Sequence, residues 1–288
     1  MVKVDVSKLQ NTLSEVSTEL ETYKSVFALI KSEYEVIKPV WINGVGDQFF
    51  NTVDSNIKDT ILLIQSLETF INDMKVLAGN YSSLGSTISC KLDQRSNVLQ
   101  KYSTAISRVE SAANSYNYLG STYFYPYRGR LKSEESKLDT IVSKLQKYRS
   151  KTKSVFNKVK NYENDIRGRL RRVQIIKINN ITTFEGNITH TSWAEFKVNE
   201  IRSAGKKINL YVNNQKESIN KIKRLLSTLG SSYSSDNSSL VNDISCIMIS
   251  SLTNSNNNNE FCSSFISQYC DKYDATKLAN MNNLERLV

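Results

Sequence analysis

A chain of 288 residues is long enough to bury a sizeable core, and with 2 Pro and 10 Gly it holds little that interrupts helices. No apolar run reaches the ~20 residues that span a bilayer, and the N-terminus has no uninterrupted apolar stretch of the signal-peptide kind. The net charge of +10 is uneven: residues 1–90 hold 7 Lys+Arg against 11 Asp+Glu, residues 91–180 hold 20 against 7, and residues 181–288 hold 11 against 10. Basicity therefore belongs to the middle third alone.

The first helix is expected to start at Asp5 or Ser7, either of which can cap it. Its stripe of Leu9, Leu13, Val16, Leu20, Tyr23, Phe27, Ile30, Tyr34 and Ile37 alternates four- and three-residue steps without a break. That is a heptad seam, and Pro39 ends it. After a break over 39–47, Asp47 is the expected cap of a second helix with a stripe from Phe50 to Tyr81. So short a connection makes the two helices antiparallel neighbours.

A second hairpin is expected over roughly 87–168, with a Gly- and Pro-punctuated aromatic loop at 117–127. The β-branched stretch 173–184 reads as an extended linker. Ser192 and Glu195 have capping-box spacing for a fifth helix. Val241 to Leu252 suggests a shorter sixth helix, Asn254 to Asn259 a low-complexity loop, and the remainder two short helical pieces.

The fold class is all-α: elongated antiparallel helical hairpins or a coiled-coil bundle. The expected divisions are a hairpin at 1–86, a basic hairpin at 87–172, a linker at 173–190, a helical segment at 191–253 and an Asn-rich end at 254–288. A faint repeat accompanies them. Trp41 and Trp193 stand 152 residues apart, as do Tyr81-Ser82-Ser83 and Tyr233-Ser234-Ser235.

Trp41-Ile42-Asn43-Gly44-Val45-Gly46 joins the first two helices, and Phe49 lies eight residues after the tryptophan. This turn and its flanking helices resemble the LXG/WXG-type helical-hairpin proteins of Gram-positive type VII secretion systems. Against the Trp-x-Gly form, Gly44 comes one residue late. Against the Leu-x-Gly form, Ile42-Asn43-Gly44 fits with Ile in place of Leu. The resemblance covers residues 1–90 well and residues 90–180 only in general character. It implies signal-peptide-independent export from the cytoplasm to the medium or cell surface, small helical partner proteins and a secretion ATPase. It also implies an export element of Tyr-x-x-x-Asp/Glu form. Tyr81 stands in that place, but the fourth residue on is Gly85.

Catalytic and metal motifs are missing from the sequence. There is no Gly-rich phosphate loop, and the single His190 lies in an Asn/Thr-rich segment. Cys90, Cys246, Cys262 and Cys270 lack metal-ligand spacing and read as buried free thiols, with a disulfide among the last three as the alternative. We expect no cofactor and no enzymatic activity, but association through helix faces. Apolar stripes left unpaired would dock small helical partners.

The remaining feature is a basic patch: Arg128, Arg130, Lys144, Lys147, Arg149, Lys151, Lys153, Arg167, Arg169, Arg171 and Arg172. A solvated helix face is its plain explanation. An acidic protein, an anionic surface and, last, nucleic acid are the partners it would suit. A membrane-active helical toxin is a further alternative, for which Ile244–Ile249 is the best but short apolar segment.

Overall fold

A computed structural model of the chain describes residues 1–85, 87–90, 94–122, 128–184 and 195–285. Six helices carry the described chain: α1 (Val6–Ile37), α2 (Gly44–Ser82), α3 (Arg95–Thr122), α4 (Arg128–Leu170), α5 (Val198–Ser232) and α6 (Ser238–Glu285). Five short strands join them: β1 (Val2–Asp5), β2 (Trp41–Ile42), β3 (Thr87–Cys90), β4 (Glu195–Phe196) and β5 (Tyr233–Ser234). The protein is all-α, as the helix-period patterning predicts.

Helices α1, α2, α5 and α6 form a four-helix bundle. Helix α1 lies between α2 and α5, and α6 closes the ring against α5 and α2. Cross-helix pairs fix the directions. Lys38 bonds Asp54 and Lys24 bonds Glu68 between α1 and α2. Lys207 meets Glu33 and Lys221 meets Glu19 between α1 and α5. Lys216 meets Glu260 between α5 and α6. Thr60 and Asn56 of α2 bond Ser255 and Asn258 of α6. Every adjacent pair is antiparallel, so the diagonal pairs, α1 with α6 and α2 with α5, run parallel. The ion pairs are half-exposed and indicate register more than stability.

Stability comes from the seam. All nine heptad residues from Leu9 to Ile37 are buried in one continuous core. Full burial of such side chains contributes ~1.5–3 kcal/mol each before entropic costs. Helix α1 packs even more extensively on α5 than on its sequence neighbour α2. The heptad stripe of the first hairpin is therefore covered by helices of this chain.

The two hairpins of the bundle turn at opposite ends. The α1–α2 corner carries Lys38–Val40 as a short 3-10 turn and β2, which pairs with β4 (Trp41 opposite Phe196). The α5–α6 corner lies beside a three-stranded antiparallel sheet of order β3-β1-β5, with Val4 opposite both Ile88 and Tyr233. The other two helices, α3 and α4, form an antiparallel arm on that second end. The root of α4 packs on α2, where Arg169 reaches Asp73 at 3.2 Å.

Several sequence expectations need correction. Asn43, not Asp47, caps α2: its side chain accepts from the Gly46 N–H, while Asp47 sits in the first turn. Helix α5 starts at Val198, and Glu195 belongs to β4; Ser192, His190 and Trp193 lie outside the described residues. Where an Asn-rich loop and two short helices were expected over 254–288, the described residues 254–285 belong to one unbroken helix.

The reason for this last difference is tertiary. Asn is a weak helix former because its amide competes for backbone groups. Here those amides are engaged by another segment. The linker from Val173 to Phe184 runs along α6, and among the described residues it pairs with no strand. Asn254 Nδ2 donates to the Ile178 carbonyl at 2.7 Å, Asn258 Nδ2 to the Asn179 carbonyl at 2.9 Å, and Ile181 N–H to Asn258 Oδ1 at 2.7 Å. Ser251 Oγ donates to the Ile176 carbonyl and accepts from Ile178 N–H. The polar tract is a ladder for a backbone strap.

The repeat frame of 152 residues places α2 on α5 and Tyr81 on Tyr233. These two helices occupy equivalent diagonal positions in the bundle.

Candidate functional site

Three places hold the sequence-predicted residues: the Trp41 corner, a buried carboxylate at the other end of the bundle, and the arm.

At the corner, Trp41 is buried and packs against Phe49 (ring centroids 5.0 Å apart), Phe50, Phe196, Phe265 and Tyr269. Its indole N–H donates to Asn43 Oδ1 at 3.2 Å, the same oxygen that accepts from Gly46 N–H at 2.8 Å. One side chain thus orients the tryptophan and caps the helix. A β-carbon on Gly46 would stand 2.5 Å from the Trp41 carbonyl oxygen and 2.9 Å from Cδ1. Gly46 is therefore the glycine that the tryptophan's packing demands. Gly44 opens the helix and Ile42 pairs with Glu195. The corner is a packed structural lock, and it joins residues from α2, β4 and α6 that no local motif connects.

Tyr81 lies at the far end of α2 and is fully buried. Its hydroxyl donates to Glu163 Oε1 of α4 at 2.6 Å, and Tyr233, its counterpart in the repeat frame, donates to Oε2 at 2.8 Å. Asn237 Nδ2 adds a third donor at 2.9 Å, and Asn237 Oδ1 accepts from Arg167 Nε at 2.7 Å. Three donors satisfy a carboxylate that has no ion-pair partner among the described residues. Burial and, next, the Glu163 charge hold the Tyr233 phenol pKa well above its ordinary value. Tyr81 and Glu163 stand 82 residues apart in the chain. Glu163 is one of five acidic residues of α4, with Asp165 two positions on, and nothing in the sequence singles it out.

Above this node a cleft of about 420 Å³ opens between arm and body, lined by Arg95, Lys160, Arg167 and Asp236 among others. The arm extends from there. Between Arg95 and Tyr162 it carries fourteen Lys and Arg against four Asp and Glu, which equals the net charge of the whole chain.

Arg130, Lys144, Lys147, Arg149, Lys151 and Lys153 are exposed on α4, and none forms an ion pair among the described residues. The remaining cations of the predicted patch separate from them. Arg167 and Arg169 are half-buried at the arm's root, on Asn237 and on Asp73 with Asp165. Arg171 and Arg172 follow beyond α4. Of the expected aromatic loop at 117–127, residues 117–122 are the last turns of α3, while 123–127 lie outside the described residues, as does the side chain of Arg128.

Cys246 is exposed, while Cys262 and Cys270 are buried; all three are free thiols. Burial raises Cys262 to about 12 and Cys270 to about 11. Among the described residues no three His, Cys, Asp or Glu side chains converge as a metal site. No helix of the described chain is long and apolar enough to cross a membrane, and Ile244 and Met248 of the best apolar segment are core residues of α6.

Neither a family model, nor a curated protein, nor a solved structure matches the chain.

Proposed function

We propose that the chain is a non-enzymatic export substrate or effector of a type VII secretion system that carries its helical partner within itself. The observation that supports this reading most directly is the covering of the α1 seam. A heptad stripe beside a Trp-corner hairpin would otherwise require a second hairpin from another chain. Here α5 and α6, turned at the opposite end of the bundle, fill that role.

The Trp41 corner supports the same reading, since Gly46 and Asn43 exist there to seat the tryptophan. The chain would be exported folded, with the secretion ATPase as its partner at the membrane and its helical surfaces acting outside the cell. Tyr81 is buried in the Glu163 node, so the element read by the export machinery would be a folded surface and not an extended tyrosine signal.

The test is secretion. Expressed in a Gram-positive host with a working system, the intact chain should accumulate in the medium or on the surface, and loss of the secretion ATPase should abolish that accumulation. Equal release with and without the ATPase, in cells that retain a cytoplasmic marker, would refute the proposal.

A further inference from the structure

The outer face of the arm has an order that packing does not require. From Thr140 to Tyr162, α4 contains seven Lys and Arg and no Asp or Glu. Val142, Leu145, Thr152, Val155, Phe156 and Val159 are half-buried or buried and recur at helical spacing, so they form the seam facing α3 and the body. On the opposite side lie Ser143, Gln146, Ser150, Ser154, Asn157 and Asn161, all exposed. About a quarter turn to one side of this neutral stripe run Lys144, Lys147, Lys151 and Lys158; about a quarter turn to the other run Arg149, Lys153 and Lys160. All seven cations are exposed and free of ion pairs among the described residues, and Lys160, the last of them, also borders the cleft between arm and body.

This pattern discriminates between anionic partners. A bilayer surface would favour apolar side chains on the outward face, and the stripe has none. A single flexible polyanion is satisfied by one row of cations. Two rows, separated by a helix's width and running for ~24 Å, match two anionic walls with a gap between them.

The major groove of B-form DNA is such a gap: it is ~12 Å wide, admits one α-helix and has a phosphate strand on each edge. Ser, Gln and Asn are among the side chains that exchange hydrogen bonds with base edges there. The deep, narrow major groove of duplex RNA would exclude them. We propose that the outer face of α4, residues 143–161, docks in the major groove of double-stranded DNA, with the two cation rows on the phosphates of opposite strands. This is independent of the secretion reading.

Fluorescence anisotropy of a labelled DNA duplex with the full-length protein tests it. Seven phosphate contacts predict that the logarithm of affinity falls with the logarithm of salt concentration with a slope of about −6. Replacing Lys144, Lys147, Lys151 and Lys158 by Gln should bring the slope to about −3, and replacing Arg149, Lys153 and Lys160 by Gln to about −4. Each set should weaken binding at least tenfold. All these positions are exposed, so the helical circular-dichroism signal and melting temperature serve as folding controls.

Three results would overturn the proposal. One is no duplex binding at about 50 mM salt, where contacts of this kind are strong. Another is linear polyphosphate or anionic vesicles binding as tightly as the duplex. The third is either row's replacement leaving duplex affinity unchanged in a folded variant.

Discussion

Two glycines of α2 separate steric need from mere tolerance. Gly46 has the Trp41 carbonyl oxygen 2.5 Å from where its β-carbon would sit, whereas Gly79 has nothing within 4 Å. Gly46→Ala should therefore lower stability by ~1–3 kcal/mol by forcing backbone and indole apart, and Gly79→Ala in the last turn of α2 should raise it by up to ~0.5 kcal/mol. Urea denaturation of both variants checks this; equal shifts would mean that the corner is not under that constraint.

The sequence made the motif around Trp41 visible. Which glycine mattered was not legible, because the answer depends on the direction of the Trp41 carbonyl. Burial also sets a pH response. It raises Cys262 from 9.0 to about 12 and Tyr23 from 10.0 to about 12. The unfolded chain releases these protons first, so stability present below pH 9 should be lost as pH rises from about 9 towards 12. Denaturation midpoints across that range should fall, and less steeply in Cys262→Ala; a flat profile would contradict the burial of both groups.

At the scale of elements, helices α1 to α5 and their order were readable from period and breaks, since α1, α2, α4 and α5 each keep an apolar stripe. What failed was local reading of segments whose partners are remote. Strand β1 alternates Val2 and Val4 with polar residues, yet four residues need neighbours to become a strand, and those neighbours are at 87–90 and 233–234. The Asn-rich part of α6 looked like a loop because its amides are weak helix formers in isolation, and the strap that engages them lies ~75 residues upstream.

That strap gives an element-scale prediction. Asn258 links Asn56 of α2, the Asn179 carbonyl and the Ile181 N–H. Asn258→Ala should accelerate amide hydrogen exchange at Ile178 and Ile181 by at least tenfold while leaving the centre of α1 protected. Exchange unchanged at the strap would mean that it is held by Val173 and Ile178 packing alone.

For the whole molecule, the heptad seam in the sequence announced that a partner helix exists, but not that it belongs to the same chain. A seam defines a face, and any helix of matching stripe can cover it; only the long return through the arm and strap brings α5 onto α1. The Glu163 node belongs to this scale as well. It draws α2, α4, β5 and the start of α6 to one carboxylate, joining both halves of the repeat at the base of the arm.

Pairing of the two hairpins within one chain can be read by sedimentation velocity of the purified 288-residue chain. The expected result is a folded 32.8 kDa monomer at micromolar concentration, elongated by its arm and needing no co-expressed protein. A protein that aggregates or stays unfolded alone, and becomes soluble only with a small helical partner, would contradict it.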